Sequence, residues 1–306
     1  IADLGRILIE ETDTTISEFL VAPDVGLLRS DVTVVTPESV ATDVAAAPHV
    51  INIQTDQHYT QSIMRQGGTL MPLANRLYQA YPDHFDSVML LSTSKVEKID
   101  RLASSNFTSG ANSTRQVNYT GSGRAPFDST SIFGSDGRLL SINMIDFMTR
   151  GLTTNNVTHE LVHTWNAYLD PSLGLSGEKY GHYSGRSSAG SLVGGQEWID
   201  NGDGTFTVNF DEGRNGGTSA SEIELYMMGL IGPSEVGTLR AYDENIPLKT
   251  LANPVVQASE ITTVVTIQDI IDEHGPWAPL SGTVQTDFNI GFVAESHDRL
   301  LTPVEM

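Results

Sequence analysis

No cysteine occurs anywhere in the 306 residues, so cysteine-ligated zinc, disulfide stapling and thiol catalysis are excluded. Positive charge is scarce too: 17 Lys and Arg stand against 38 Asp and Glu, a formal net charge of −21. A chain this acidic is repelled by nucleic-acid backbones and anionic membrane surfaces, and neither is an expected partner. No apolar run approaches the roughly 20 residues that span a bilayer. The chain begins at Ile1 without a basic stretch or an apolar leader, as it would if a signal or propeptide had been removed or the sequence trimmed, and the sequence does not choose between the two. What remains is apolar material at 39% of residues, enough for one large domain or two modest ones.

The first 48 residues read as a β-rich extension. Short apolar pieces at Arg6–Glu10 and Asp31–Val35 alternate with Thr- and Ala-rich connections, and Ala41–His49 reads as a link. Residues 49–306 read as the main domain. It opens with a buried strand at Val50–Gln54, a helical pattern from Ile63 to Tyr81 stopped by Pro82, and a second apolar strand at Ser87–Ser92. Residues 104–137 are rich in Ser, Thr, Asn and Gly and read mostly as loop, with a strand near Gln116–Thr120. Arg138–Phe147 reads as a strand or short helix. Past Asp170-Pro171 the pattern turns to loops and hairpins, with capped helices at Ser219–Leu230 and Thr266–Glu273 and a strand at Asp287–Val293.

The stretch that carries chemistry is His159-Glu160-Leu161-Val162-His163. Read as a helix, Val157, Leu161, Trp165 and Tyr168 form one apolar stripe that runs to the breaker Asp170-Pro171. His159 and His163 lie at i and i+4 and point the same way from adjacent turns, so their imidazoles can converge on one tetrahedral zinc. Glu160 projects toward the edge of that site, where it can polarise a bound water without being a ligand. The bland alternative is an ordinary helix with two chance histidines. Helical periodicity, the preceding strand-helix-strand region and the clean breaker favour the metal site.

A catalytic zinc takes a third protein ligand and leaves one position to water. Two candidates follow the motif. Eighteen residues separate His163 from His182. Glu224 lies on a following helix, where its plainer role is the capping-box partner of Ser221. Tyr226, Tyr183 or Tyr180 could donate to an oxyanion. Met227 and Met228 form either a floor beneath the metal or plain core. Asp170 or Glu197 could hold a ligand histidine's second nitrogen, and His58 is the one further histidine in play. Trp198–Phe210 reads as a hairpin. Its Asp200, Asn201 and Asp203 resemble a Ca2+ loop that Asp211 closes only approximately, and a plain turn is the competing reading.

Taken together, HELVHTW, His182-Tyr183, the Asp200–Phe206 segment, the Glu224–Leu230 helix and IIDEHGP at Ile270–Pro276 resemble bacterial secreted zincin-type metallopeptidases. The likeness runs from about Val50 to Val293. It departs from the family pattern at Trp277, where a basic residue is expected, and at Glu222, where proline is expected. The resemblance implies an α+β zincin-like fold: a mixed sheet and an active-site helix over a loop-rich C-terminal subdomain. It also implies a secreted, monomeric zinc endopeptidase acting on protein or peptide, with Glu160 as general base. It does not choose between His182 and Glu224. The alternative is a non-hydrolytic binding protein on the same scaffold that recognises a glycan or surface protein.

Overall fold

The computed structural model of the chain describes residues 37–56, 59, 69–92, 110–145, 154–176, 181–209, 220–242, 254–303 and 306. The fold is mixed α and β, mostly sheet with few helices. Two units divide it: one takes residues 1–116, 128–161 and 287–306, the other 117–127 and 162–286.

The first unit is built on a seven-stranded sheet. Its strands are β1 (Glu38–Ala41), β2 (Val44–Ala47), β3 (Val50–Gln54), β4 (Ser87–Ser92), β5 (Gly110–Thr114), β6 (Ser141–Ile145) and β7 (Ile290–Ser296). They lie in the order β1-β2-β3-β7-β4-β6-β5. The central four are parallel, with Val293 of β7 opposite both Ile51 of β3 and Leu90 of β4. Parallel strands are covered on both faces, which is why β4 and β6 read as nearly continuous apolar runs. The outer pairs β1–β2, β2–β3 and β5–β6 are antiparallel.

Helix α1 (Met71–Ala80) turns Leu73, Ala74 and Leu77 into the core formed with Ile51, Ile53, Leu90, Ile142 and Met144. Each fully buried leucine there contributes about 1.5–3 kcal/mol. The helix stops because Pro82 forces Tyr81 into an extended conformation, φ −128° and ψ 136°.

Two expectations need correction. Residues 41–49 are not a link: β2 and the end of β1 belong to the same sheet as β3. The described part of the Ser/Asn/Gly-rich segment has short strands at Gln116–Val117 and Tyr119–Thr120, where one is expected, and a further one that is not. Gly110–Thr114 is an edge strand whose main chain pairs with β6, and its side chains give no apolar alternation to mark it. Arg6–Glu10, Asp31–Val35 and the first turns expected from Ile63 lie outside the described residues.

The second unit carries small antiparallel sheets. Glu197–Asp200 pairs with Thr205–Asn209 as the expected hairpin, and Val255–Gln257 adds a third strand. Leu239–Tyr242 pairs with Ile261–Val265, and Tyr119–Thr120 with Ala278–Pro279. Its core gathers Val162, Leu169, Leu175, Tyr183, Val193, Ile223, Tyr226, Met227, Val265 and Ile270. Among the described residues no helix is long and apolar enough to cross a membrane.

Candidate metal centre

Helix α2 (Thr154–Val162) carries the motif and ends sooner than its apolar stripe suggests. A helix leaves its last carbonyls without intrahelical donors, and side chains take them here. Asn112 Nδ2 donates to the Glu160 carbonyl at 2.9 Å and to Asn143 Oδ1 at 2.7 Å. The Val162 carbonyl accepts from the Trp165 and Asn166 amides, each at 3.0 Å. Two phenols complete the set: Tyr168 donates to the His163 carbonyl and Tyr119 to the Thr164 carbonyl, each at 2.8 Å. Ala167 then turns the chain at φ 65°, so Trp165 and Tyr168 are not a continuation of the helical stripe.

His159 and His163 are buried and His182 is half-buried. Each offers a nitrogen, and these three atoms lie within 4.8 Å of one another. The His163 and His182 rings meet edge-to-face, centroids 4.7 Å apart at 71°. Gly181 makes this approach possible. Its φ is +78°, and a β-carbon there would sit 3.2 Å from His163 Nδ1. Three neutral imidazoles make a donor set suited to tetrahedral zinc with one open position.

Glu160 is buried at 5% exposure, and burial pushes its carboxyl up to about 8. Its side chain packs on Gly110 of β5, where a β-carbon would lie 2.6 Å from Cδ. Gly110 and Asn112 went unnoticed in the sequence. A glycine and an asparagine in a Ser/Asn-rich stretch carry no spacing that ties them to a motif some fifty residues on.

The structure brings His159, His163 and His182 together and leaves Glu224 out of the group. Glu224, on helix α3 (Glu222–Met227), is fully buried. Its Oε1 accepts from Ser191 Oγ at 2.5 Å and its Oε2 from the Ser221 amide at 2.8 Å. Burial raises its pKa, while the Ser191 hydroxyl and the amides of Ser221, Leu192 and Val193 pull it back. The capping role expected of it is the one it performs.

The proposed supporting residues sit as follows. The Asp170 carboxylate accepts from the Ser172 amide, and Glu197 accepts from Asn209 Nδ2, so neither holds a ligand histidine. The Tyr226 hydroxyl accepts from the Trp277 amide at 3.1 Å, and Trp277 stacks on Tyr119. Tyr183 and Met227 are core residues. Met228 is the C-cap residue of α3. At the supposed Ca2+ loop, Asp200 Oδ1 accepts from the Gly202 amide and Asp203 Oδ1 from the Thr205 amide and hydroxyl. These are the hydrogen bonds of a plain turn, and among the described residues only the three histidines form a group that could hold a metal. His58, Tyr180 and Asp211 lie outside the described residues.

No family model, no curated protein and no solved structure matches the chain.

Proposed function

We propose that this chain is a zinc-dependent endopeptidase of zincin-like fold, with His159, His163 and His182 as metal ligands and Glu160 as general base. One observation carries the reading: three imidazole nitrogens are gathered on and beside the helix that also bears a buried glutamate next to the first of them. The general resemblance to secreted zincin-type metallopeptidases agrees with it, as does the antiparallel strand β5 packed on that glutamate.

Zinc, when bound, supplies a Lewis acid and brings the pKa of a water toward about 7. The rest of the chemistry belongs to the chain. Glu160 accepts the proton of the attacking water on a carboxylate oxygen and delivers it to the departing amine. Burial raises this carboxyl in the metal-free chain, and a bound cation beside it would draw it back toward the carboxylate that accepts the proton. Gly110 and the Asn112 hydrogen bond to the Glu160 carbonyl hold the base in position.

The test is Glu160→Gln. The variant should bind zinc as the wild type does and lose cleavage of a peptide library that the wild type digests and a chelator stops. Undiminished cleavage by Glu160→Gln would sink the proposal. Zinc binding by a wild type that cleaves nothing would favour a binding protein on the same scaffold.

A further inference from the structure

We propose that Tyr168 is a positioning residue that fixes His163 against His182. The inference rests on the metal-site reading above and names the residue that holds its geometry.

His163 stands one residue beyond the last residue of α2, where the helical ladder no longer fixes the backbone. Its carbonyl is taken by the Tyr168 hydroxyl at 2.8 Å. A side chain only five residues on can return to that carbonyl because Ala167 reverses the chain at φ 65°, a left-handed conformation uncommon for a residue with a β-carbon. Such a conformation persists only where the surroundings over-determine it. They do so here. Ala167 and Tyr183 are buried together in one hydrophobic core. Gly123 packs directly on the Tyr168 carbonyl, and the Arg124 guanidinium lies 4.3 Å from the Tyr168 ring centroid.

Tyr183 is the residue after His182, so these contacts close a circuit. It runs from His163 to Tyr168 through the hydrogen bond, to Ala167 along the chain, across to Tyr183, and along the chain to His182. The His182 ring then meets the His163 ring edge-on at 4.7 Å. Gly181 completes the fit, since a β-carbon there would touch His163 Nδ1 at 3.2 Å and reach the Tyr168 hydroxyl at 4.0 Å. The Tyr168 ring serves packing under Arg124, whereas its hydroxyl serves the His163 carbonyl. The two roles are therefore separable by removing one oxygen.

The experiment compares the full chain with Tyr168→Phe, Ala167→Gly and Ala167→Val. Zinc affinity is read by competition with a chromogenic chelator, and ligand geometry by the visible spectrum of the Co2+-loaded protein. Tyr168→Phe keeps the ring and should weaken zinc by about tenfold or more, with displaced Co2+ bands. Ala167→Gly adopts the same φ freely and should stay within about twofold of wild type. Ala167→Val resists that φ and should match Tyr168→Phe, and joining the two should add little. Zinc affinity and Co2+ bands unchanged in Tyr168→Phe overturn the inference. If Tyr168→Phe does not fold, the Ala167 pair decides: equal affinity in its two variants overturns it. A wild type that binds no zinc overturns the metal-site reading and this inference with it, so the two failures are told apart.

Discussion

Gly110→Ala tests whether the Glu160 carboxyl is held where the reaction needs it. Gly110 is buried at the start of β5, and a β-carbon built there would lie 2.6 Å from Cδ and 2.7 Å from Cγ of Glu160. Carbon atoms in contact settle at about 3.5–4.0 Å. The carboxyl must therefore retreat by about 1 Å, or the strand must move away from the helix. The backbone at Gly110 is not in the left-handed region, so alanine brings little conformational penalty of its own. What yields most easily is the end of a flexible side chain, and the loss falls on position more than on stability.

A displacement of about 1 Å at a reacting group costs on the order of 10²-fold. That corresponds to about 2.7 kcal/mol of transition-state stabilisation. The assay is kcat/KM on a fluorogenic peptide that the wild type cleaves, with zinc content and thermal midpoint measured alongside. Gly110→Ala should lose roughly 10²-fold in kcat/KM, mostly in kcat, and keep its zinc. Activity within about threefold of wild type would refute the argument that β5 positions the base. A parallel loss of zinc would reassign Gly110 from holding the glutamate to holding the metal site.

Three further outcomes follow from the same geometry. His182→Ala should abolish tight zinc binding, whereas Glu224→Ala should leave zinc affinity unchanged and destabilise the chain by about 3 kcal/mol, because it strands several buried donors. Chelator competition and denaturant unfolding read the two effects separately, and zinc lost from Glu224→Ala would reverse the ligand assignment. In metal-free protein, Glu160 titrates near an ordinary 4.5 when unfolded and near about 8 when folded. The folded state then holds the extra proton between these values, so stability is full below about 4.5 and falls as pH rises toward 8. The decline is at most about 5 kcal/mol and, with water entering the site, about 1–2 kcal/mol. Glu160→Gln should flatten that slope in denaturant titrations at pH 5 and pH 8, and an unchanged slope would assign it to other groups. Trp277→Ala should destabilise the second unit by about 2–3 kcal/mol, since the half-buried ring stacks on Tyr119 and packs on Gly229. Unfolding curves within about 1 kcal/mol of wild type would contradict it.

The parts of the fold that were legible share one property: their signal is local. Val50–Gln54 and Ser87–Ser92 are short apolar runs, and buried parallel strands are made of such runs. The hairpin at Glu197–Asn209 and the boxes at Ser221 and Thr266 announce themselves through turn and cap residues a few positions apart. β5 and β2 fail for the complementary reason. GANST and VAAA owe their strand state to the neighbours that pair with them, and no composition signals a partner elsewhere in the chain. The early end of α2 is of the same kind. Its stripe continued to Tyr168 on paper, but the hydroxyls of Tyr119 and Tyr168 satisfy the carbonyls where the helix stops.

The site was half legible on the same grounds. His159, Glu160 and His163 are read from their spacing in one short segment at the end of α2, whereas the choice between His182 and Glu224 depends on what each side chain meets in the fold. Glu224 sits on a helix in the position where a carboxylate ligand would be expected, and nothing in its flanking sequence disqualifies it. What disqualifies it is saturation. A carboxylate offers about four lone-pair directions. The Ser191 hydroxyl donates to one oxygen of the fully buried Glu224, and the Ser221 amide and hydroxyl donate to the other. Turning that carboxylate to a metal would leave those donors unpaired at about 1–3 kcal/mol each. His182 brings a nitrogen within 4.8 Å of those of His159 and His163, and the glycine before it lets its backbone lie against His163. The proposal of His182 as third ligand thus rests on hydrogen-bond accounting around Glu224 as much as on the geometry of the three histidines.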